Sequence, residues 1–467
     1  MKAISDLPSP KELPVLGHLH KIRFVRLHRI FEEWADAFGP IYRIKIGPRV
    51  MCVISDRELF QQILRQRPQK FQRLTALSSV AAEMRLDGVF TANGDDWKRQ
   101  RQIVDAALNR AKLEDFFPKL MVYVGRLQSR WQQAAEQSRV VNVTEELIRF
   151  TVDVTMRLAF DLDANTLETS GPTIQRHLDK VFPILLRRIN APFPWWRYFR
   201  LPADRALDRA LVALEGEVAE IVHHTRKRMQ ADQTRFTHPT NFLEALLAAV
   251  HDEASGFSEA EIFANVSNIL LAGEDTTANS IAWALYFGLI YPDAFLRMRE
   301  EVEALLGADN SLSSFDQAAK LPLMDAFCNE SMRLTPVAPL HTVEPVEDIE
   351  LLGYLIPKAT PIFVLARHIA VSEESFADSK SFDLSRWLKA PSERTGMHNR
   401  RAFTPFGGGP RVCPGRSLAM LQFRAVLAMF CQNFQMEPEG DIAGVQEHLT
   451  FTMTPRNLRV RLKARPT

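Results

Sequence analysis

Phe403-Thr-Pro-Phe-Gly-Gly-Gly-Pro-Arg-Val-Cys-Pro-Gly-Arg416 is the most informative run in this sequence. The three glycines, Gly407 to Gly409, carry no side chains, so the backbone there can run flat against a large planar ligand. Pro414 and Gly415 lead into a helix whose apolar stripe is Leu418, Leu421, Ala425, Ala428 and Met429. Cys413 therefore stands beside a helix N-terminus, where the dipole and free N–H groups favour a thiolate. A lone cysteine is more often a small buried hydrophobe than a ligand. Its surroundings argue otherwise. Phe406, Gly409, Arg411, Cys413 and Gly415 spell F-x-x-G-x-R-x-C-x-G, a match expected by accident in on the order of one in ten thousand chains of this length.

A thiolate so placed can serve as the axial ligand of haem iron, where it donates electron density that favours O–O cleavage. Arg411, two residues earlier, suits a haem propionate. Working outward, residues 258–290 read as one long helix, opened by Ser258 with Glu261 three residues on. Its middle, Ala272-Gly-Glu-Asp-Thr-Thr277, is poor helix material: glycine costs about 1 kcal/mol against alanine there, and adjacent threonines add to that. The expectation is that Ala272 and Gly273 leave room for dioxygen and substrate. Thr276 supplies a hydroxyl and Asp275 a carboxylate for relaying protons.

These two segments resemble the haem-binding loop and the oxygen-activating helix of the cytochrome P450 family, in the family's order. The resemblance implies Cys413 as iron ligand and Thr276 with Asp275 as catalytic pair. It also places Phe406, Gly407, Gly415, Ala419, Ala272 and Gly273 against the haem. Glu330 and Arg333, in NESMRLTP, match the family's E-x-x-R, with Arg386 of FDLSRW as third member; all three are expected to be structural. Trp97 and Arg101, in GDDWKRQR, resemble W-x-x-x-R, whose indole and guanidinium are propionate donors. In HTVEPVED, His341 is at most an approximate match to a further propionate ligand.

The 467 residues carry a net charge of +2, too near neutral for an obligate nucleic-acid binder. Four cysteines (Cys52, Cys328, Cys413, Cys431) show no zinc or disulfide spacing. The first 21 residues hold no apolar run long enough for a signal peptide or membrane span. A cytoplasmic location follows as the expectation, with no transmembrane segment. Apolar spacing predicts a helix over 22–38 ended by Gly39-Pro40, then a hairpin over IYRIKIGPRVMCVIS turning at Gly47-Pro48. Helices dominate to about residue 340, and strands return in IELLGYLIP and PIFVLARHIA. The class is mainly α with small β-sheets, as a single large domain over 1–467.

The resemblance implies haem b (iron protoporphyrin IX), dioxygen and a small lipophilic substrate. No flavin, nicotinamide or iron–sulfur motif is visible, so NAD(P)H enters only through a reductase, with a ferredoxin or flavodoxin between. Lys98, Arg99, Arg110, Lys112, Arg416 and Arg424 form either a docking patch for an acidic redoxin or a merely solvated face. Segments 71–92 and 181–202 are expected to shape the pocket. The aromatics of APFPWWRYF, including Phe193, Trp195 and Trp196, line substrate entry, touch a membrane surface or pack as core. A peroxide-driven enzyme and a haem-thiolate isomerase or dehydratase, neither of which needs an acid–alcohol pair, and a haem-based sensor or carrier, which needs an output domain, are the rival readings.

Overall fold

The computed structural model describes residues 2–465 except 170–180, 182–183, 186, 190, 192 and 390–395. Its axis is the helix Glu259–Ile290, opened by the Ser258/Glu261 capping box. At 1.5 Å per residue it is about 48 Å long. Most of its side chains are buried on every face from Ile262 to Gly288, which is how a core helix reads. Helices Arg110–Glu136, Val143–Phe160, Pro292–Leu306, Pro322–Leu334 and Arg416–Asn433 pack around it and share one apolar core.

A second core lies under a five-stranded sheet. Its strands run in the order Ile41–Ile46, Arg49–Ile54, Ile362–Val364, His341–Pro345 and Phe71–Gln72. Only the pairing of Arg49–Ile54 with Ile362–Val364 is parallel. The expected hairpin therefore forms, and it gathers strands from later in the chain. The expected helix over 22–38 is shorter. Residues 24–26 make a 3-10 turn and the α-helix runs Leu27–Phe38, because Arg23 is held extended and Gly39 closes the far end at φ 92°. In PIFVLARHIA only three residues are strand, and Ala366–Ala370 turns helical.

A third, smaller apolar cluster stands apart from both cores. It joins Leu74, Leu77, Val80 and Met84 to Leu185, Trp196 and Leu207. The chain's two ends are stitched together by charge. Buried Arg367 pairs with Glu32 near the start and with Glu447 near the end, and Glu447 also receives Arg29 and His28. The hairpin Gln446–Leu449/Met453–Arg456 is in turn pinned to the long helix by Trp283 Nε1 on Met453 O (2.9 Å) and Asn279 Nδ2 on Thr452 Oγ1 (3.0 Å). No helix among the described residues is long and apolar enough to cross a membrane.

Candidate functional site

The cysteine loop is a tight return. Cys413 N donates to Phe406 O at 2.9 Å, and Arg416 N donates back to Cys413 O at 3.4 Å. Gly415 caps the helix Arg416–Asn433, where Ala419 lies half-buried in the first turn. The glycines are needed for more than flatness. A Cβ on Gly409 would stand 2.1 Å from Leu64 O, and on Gly408 3.2 Å from Leu64 Cδ1, so both admit the helix Arg57–Arg65. Only Gly407, at φ 71°, leaves its bare side open, with His341 Cε1 the nearest group at 3.8 Å. Cys413 itself is exposed. Burial of its sulfur by surrounding protein nonetheless raises the thiol pKa, against the lowering pull of the Gly415 and Arg416 amides and of Arg101. A cation bound at the sulfur would add to the pull of these amides toward the thiolate.

Beside this loop lies a cluster of arginines, three of which, Arg67, Arg73 and Arg411, form no ion pair among the described residues. Arg411 stacks on Trp97 at 4.5 Å and donates to Ala92 O and Asn93 Oδ1, so the structure brings Arg411 and Trp97 together as the motifs implied. Arg101 shares the cluster, one nitrogen held by Asp105 at 2.7 Å. Sequence reading missed Arg67 and Arg73 and left His341 open. Burial, then Arg73 and Arg411, lowers Arg67 to about 8. Burial, then Arg73 and Arg101, lowers Arg411 to about 9. His341 is lowered to about 3 by burial, then Arg67 and Arg73. Among the described residues, Arg67 Nε and Nη2, Arg73 Nε and Arg411 Nε are buried and have no hydrogen-bond partner, and none of the three side chains is in an ion pair. Such a cluster fits a ligand carrying two carboxylates, as haem does beside its iron.

The long helix runs through Ala272–Thr277 without a break. Ala272 is exposed and Thr276, one turn on, half-exposed; Thr276 Oγ1 donates to Ala272 O at 2.7 Å. Asp275 is partly exposed and Glu274 buried. Gly273 has a different use from the expected one. A Cβ there would stand 2.7 Å from Thr155 Oγ1, so glycine serves the approach of helix Val143–Phe160, and room for dioxygen is not what requires it. Thr151 Oγ1 reaches across the same contact to Glu274 O at 3.0 Å.

Glu330 and Arg333 are fully buried, unlike the surface pair their spacing alone would suggest. Glu330 accepts from Arg333 twice (2.8 and 2.7 Å), Arg386 (3.1 Å), Asp383 N (3.0 Å) and Trp387 Nε1 (2.9 Å). Trp387 packs on Phe403 at 4.7 Å, which connects this cluster to the start of the cysteine loop.

The proposed basic patch is largely neutralised. Lys98 pairs with Asp95, Arg99 with Asp96 and Glu261, Arg110 with Glu114, and Arg424 with Asp325. Lys112 donates to Pro239 O, and Arg416 lies over Phe406 at 5.9 Å. The aromatic segment, whose residues 182–183, 186, 190 and 192 lie outside the described ones, divides. Trp196 is buried with Nε1 on Glu83 at 2.7 Å and Trp195 is half-buried, whereas Phe193 is exposed.

A family model for cytochrome P450 matches residues 7–462. The chain belongs to the cytochrome P450 family. It is 26% identical over 459 residues to a pentalenene oxygenase of Streptomyces avermitilis, covering 98% of this chain and 97% of that one. It is 24% identical to a bifunctional cytochrome P450/NADPH–P450 reductase of Gibberella moniliformis, covering 99% of this chain and 41% of the relative. In fold it is similar to the crystal structure of the cytochrome P450DA haem domain, with a TM-score of 0.86, 22% identity and 98% of each chain covered. This P450 is a haem-thiolate monooxygenase. Its cofactor is haem b, and NAD(P)H supplies electrons through a reductase partner.

Proposed function

We propose that this P450, one domain along the chain, inserts one oxygen atom of O2 into a lipophilic substrate by hydroxylation or epoxidation. A ferredoxin or flavodoxin would deliver the electrons in the cytoplasm. The free, buried Cys52, Cys328 and Cys431 are in keeping with a reducing compartment. Haem held by Cys413 supplies dioxygen binding and O–O cleavage. Arg411, Trp97, Arg101, Arg67, Arg73 and His341 would hold its propionates, while Phe406, Gly407, Gly415 and Ala419 line its cysteine side. Ala272 would leave room beside the group for dioxygen and substrate, and Gly273 acts through the packing of the helix.

One observation carries the proton-handling role of Thr276. Its hydroxyl hydrogen is already spent on Ala272 O, so its lone pairs are left to accept from a neighbouring donor. A proton passes on when the hydroxyl turns away from that carbonyl, and Asp275, the adjacent carboxylate, is the group that would replenish it. A peroxide-driven enzyme needs neither group. Thr276→Ala is expected to keep its haem while the yield of oxygenated product per NAD(P)H consumed falls and hydrogen peroxide rises. The check is product, peroxide and NAD(P)H counted in one reaction. An unchanged yield would remove Thr276 from the mechanism.

A further inference from the structure

Asn93 opens the helix Gly94–Ala107 without capping it. An asparagine in that place ordinarily accepts from an amide in the first helical turn. Three other α-helices among the described residues begin on asparagine, and each obeys. Asn109 accepts from Lys112 N, Asn142 from Glu145 N and Asn241 from Glu244 N. The side chain of Asn93 turns away from its helix instead. Its Oδ1 accepts from Arg73 N at 3.0 Å and from Arg411 Nη2 at 3.3 Å, and its Nδ2 donates to Arg73 O at 3.5 Å and Ser78 Oγ at 3.3 Å. The amide thus grips both polar atoms of the Arg73 backbone. With the same oxygen it reaches a guanidinium 318 residues further along the chain. Ala92 O accepts from that same nitrogen.

The two arginines it holds together repel each other. The charge of Arg73 contributes to lowering Arg411, and both arginines in turn lower Arg67. Nε of Arg73 and Nε of Arg411 are buried and have no hydrogen-bond partner among the described residues. A carboxylate at position 93 would offset the repulsion, and in doing so would cancel positive charge. An amide accepts the same bonds and cancels none. The neutral side chain therefore leaves the repulsion standing, and the helix loses its cap as well. Both costs are offset once an anion binds the cluster.

We propose that Asn93 is a positioning residue for the haem carboxylates, acting through Arg411 and Arg73: it fixes the two arginines and leaves their full charge to the ligand. The inference rests on the reading of this cluster as the propionate site. Asn93→Asp keeps the shape and the acceptor for Arg411 while adding a charge, and Arg411→Gln removes a group through which Asn93 acts. The two single variants and the double would be prepared as haem-loaded protein, and haem transfer to a scavenging apoprotein followed. Asn93→Asp should release haem at least about tenfold faster than the parent, the size of one charge-assisted hydrogen bond. Its far-UV circular dichroism should match the parent's, because aspartate opens a helix as well as asparagine does. The ferric–ferrous potential of the haem it keeps should fall, since an added negative charge favours the oxidised iron. In the Arg411→Gln background the same substitution should change the rate by less than about twofold. A parental rate and potential in Asn93→Asp would overturn the proposal. An effect of equal size with and without Arg411 would overturn it too, leaving Asn93 a purely structural residue. Should Asn93→Asp take up no haem, Asn93→Ser decides: serine is neutral and caps helices but is too short to reach Arg411, so its haem should leave faster, and a parental rate would refute the role. Parental haem transfer in Arg411→Gln would instead strike the propionate reading, and this inference with it.

Discussion

Glu330→Gln is the sharpest probe of what holds the cysteine loop in place. Glu330 Oε1 accepts three donors, from Arg333, Asp383 N and Arg386, and Oε2 accepts two, from Arg333 and Trp387. Glutamine keeps the shape but turns one oxygen into an NH2, which then faces two or three donors whichever way the amide lies. It also leaves two buried guanidiniums with no counter-charge among these contacts. Removing one partner of a buried ion pair costs about 3–5 kcal/mol. Unfolding entropy of about 2.1 cal/mol/K per residue gives this chain a slope of roughly 1 kcal/mol per degree, so the apparent Tm should fall by about 3–5 °C. Glu437→Gln is the contrast, because its pair with Lys463 is exposed on both sides and worth about 0–1 kcal/mol. Both variants would be scanned at one heating rate beside the parent, and haem loss to a scavenging apoprotein followed at a fixed temperature. Because Trp387 carries the cluster to Phe403, Glu330→Gln should also lose haem faster. A Tm shift no larger than that of Glu437→Gln, with parental haem retention, would refute the reasoning.

Arg73→Gln should weaken haem retention and leave the apoprotein fold intact, since its guanidinium has no acid to abandon; equal haem transfer rates in variant and parent would exclude it from the propionate site. Gly273→Ala should destabilise by about 1–3 kcal/mol through the Thr155 clash. G273A/T155A should recover that loss in denaturant titration, and a stable single variant would contradict the packing account. Glu447 is held far below the ordinary carboxylate range: its hydrogen bond from His28, then Arg367 and Arg29, outweigh burial. A depressed carboxylate contributes stability that is complete above its unfolded pKa of about 4.3 and is lost as pH falls toward the folded value. Glu447→Gln should therefore flatten the acid side of the stability curve, and parallel curves for variant and parent would count against it.

The parts of this fold legible in sequence were those whose partners lie close along the chain. The cysteine loop declares itself within ten residues, and the Ser258/Glu261 cap sets the start of the long helix to within one. Gly273 was assigned to open space because its true neighbour, Thr155, is more than a hundred residues away. Arg67 and Arg73 belong to no motif that singles them out, and the fold encloses both beside Arg411. The pairing of the basic residues was legible for a different reason. Asp95 and Asp96 stand three residues before Lys98 and Arg99, and Glu114 four after Arg110, so the neutralising spacing was present in the sequence.

The stitching of the two ends through Arg367 also bears on how the chain matures. Buried His28 waits for Glu447, 419 residues later. At 5–20 residues per second, synthesis separates the two by roughly 20 to 80 s. Throughout that interval the Leu27–Phe38 helix has its charged face made and its partner still unsynthesised. The hairpin that brings Glu447 also closes over Trp283 on the long helix. The contacts of this helix thus stay incomplete until the hairpin that carries Glu447 has been made.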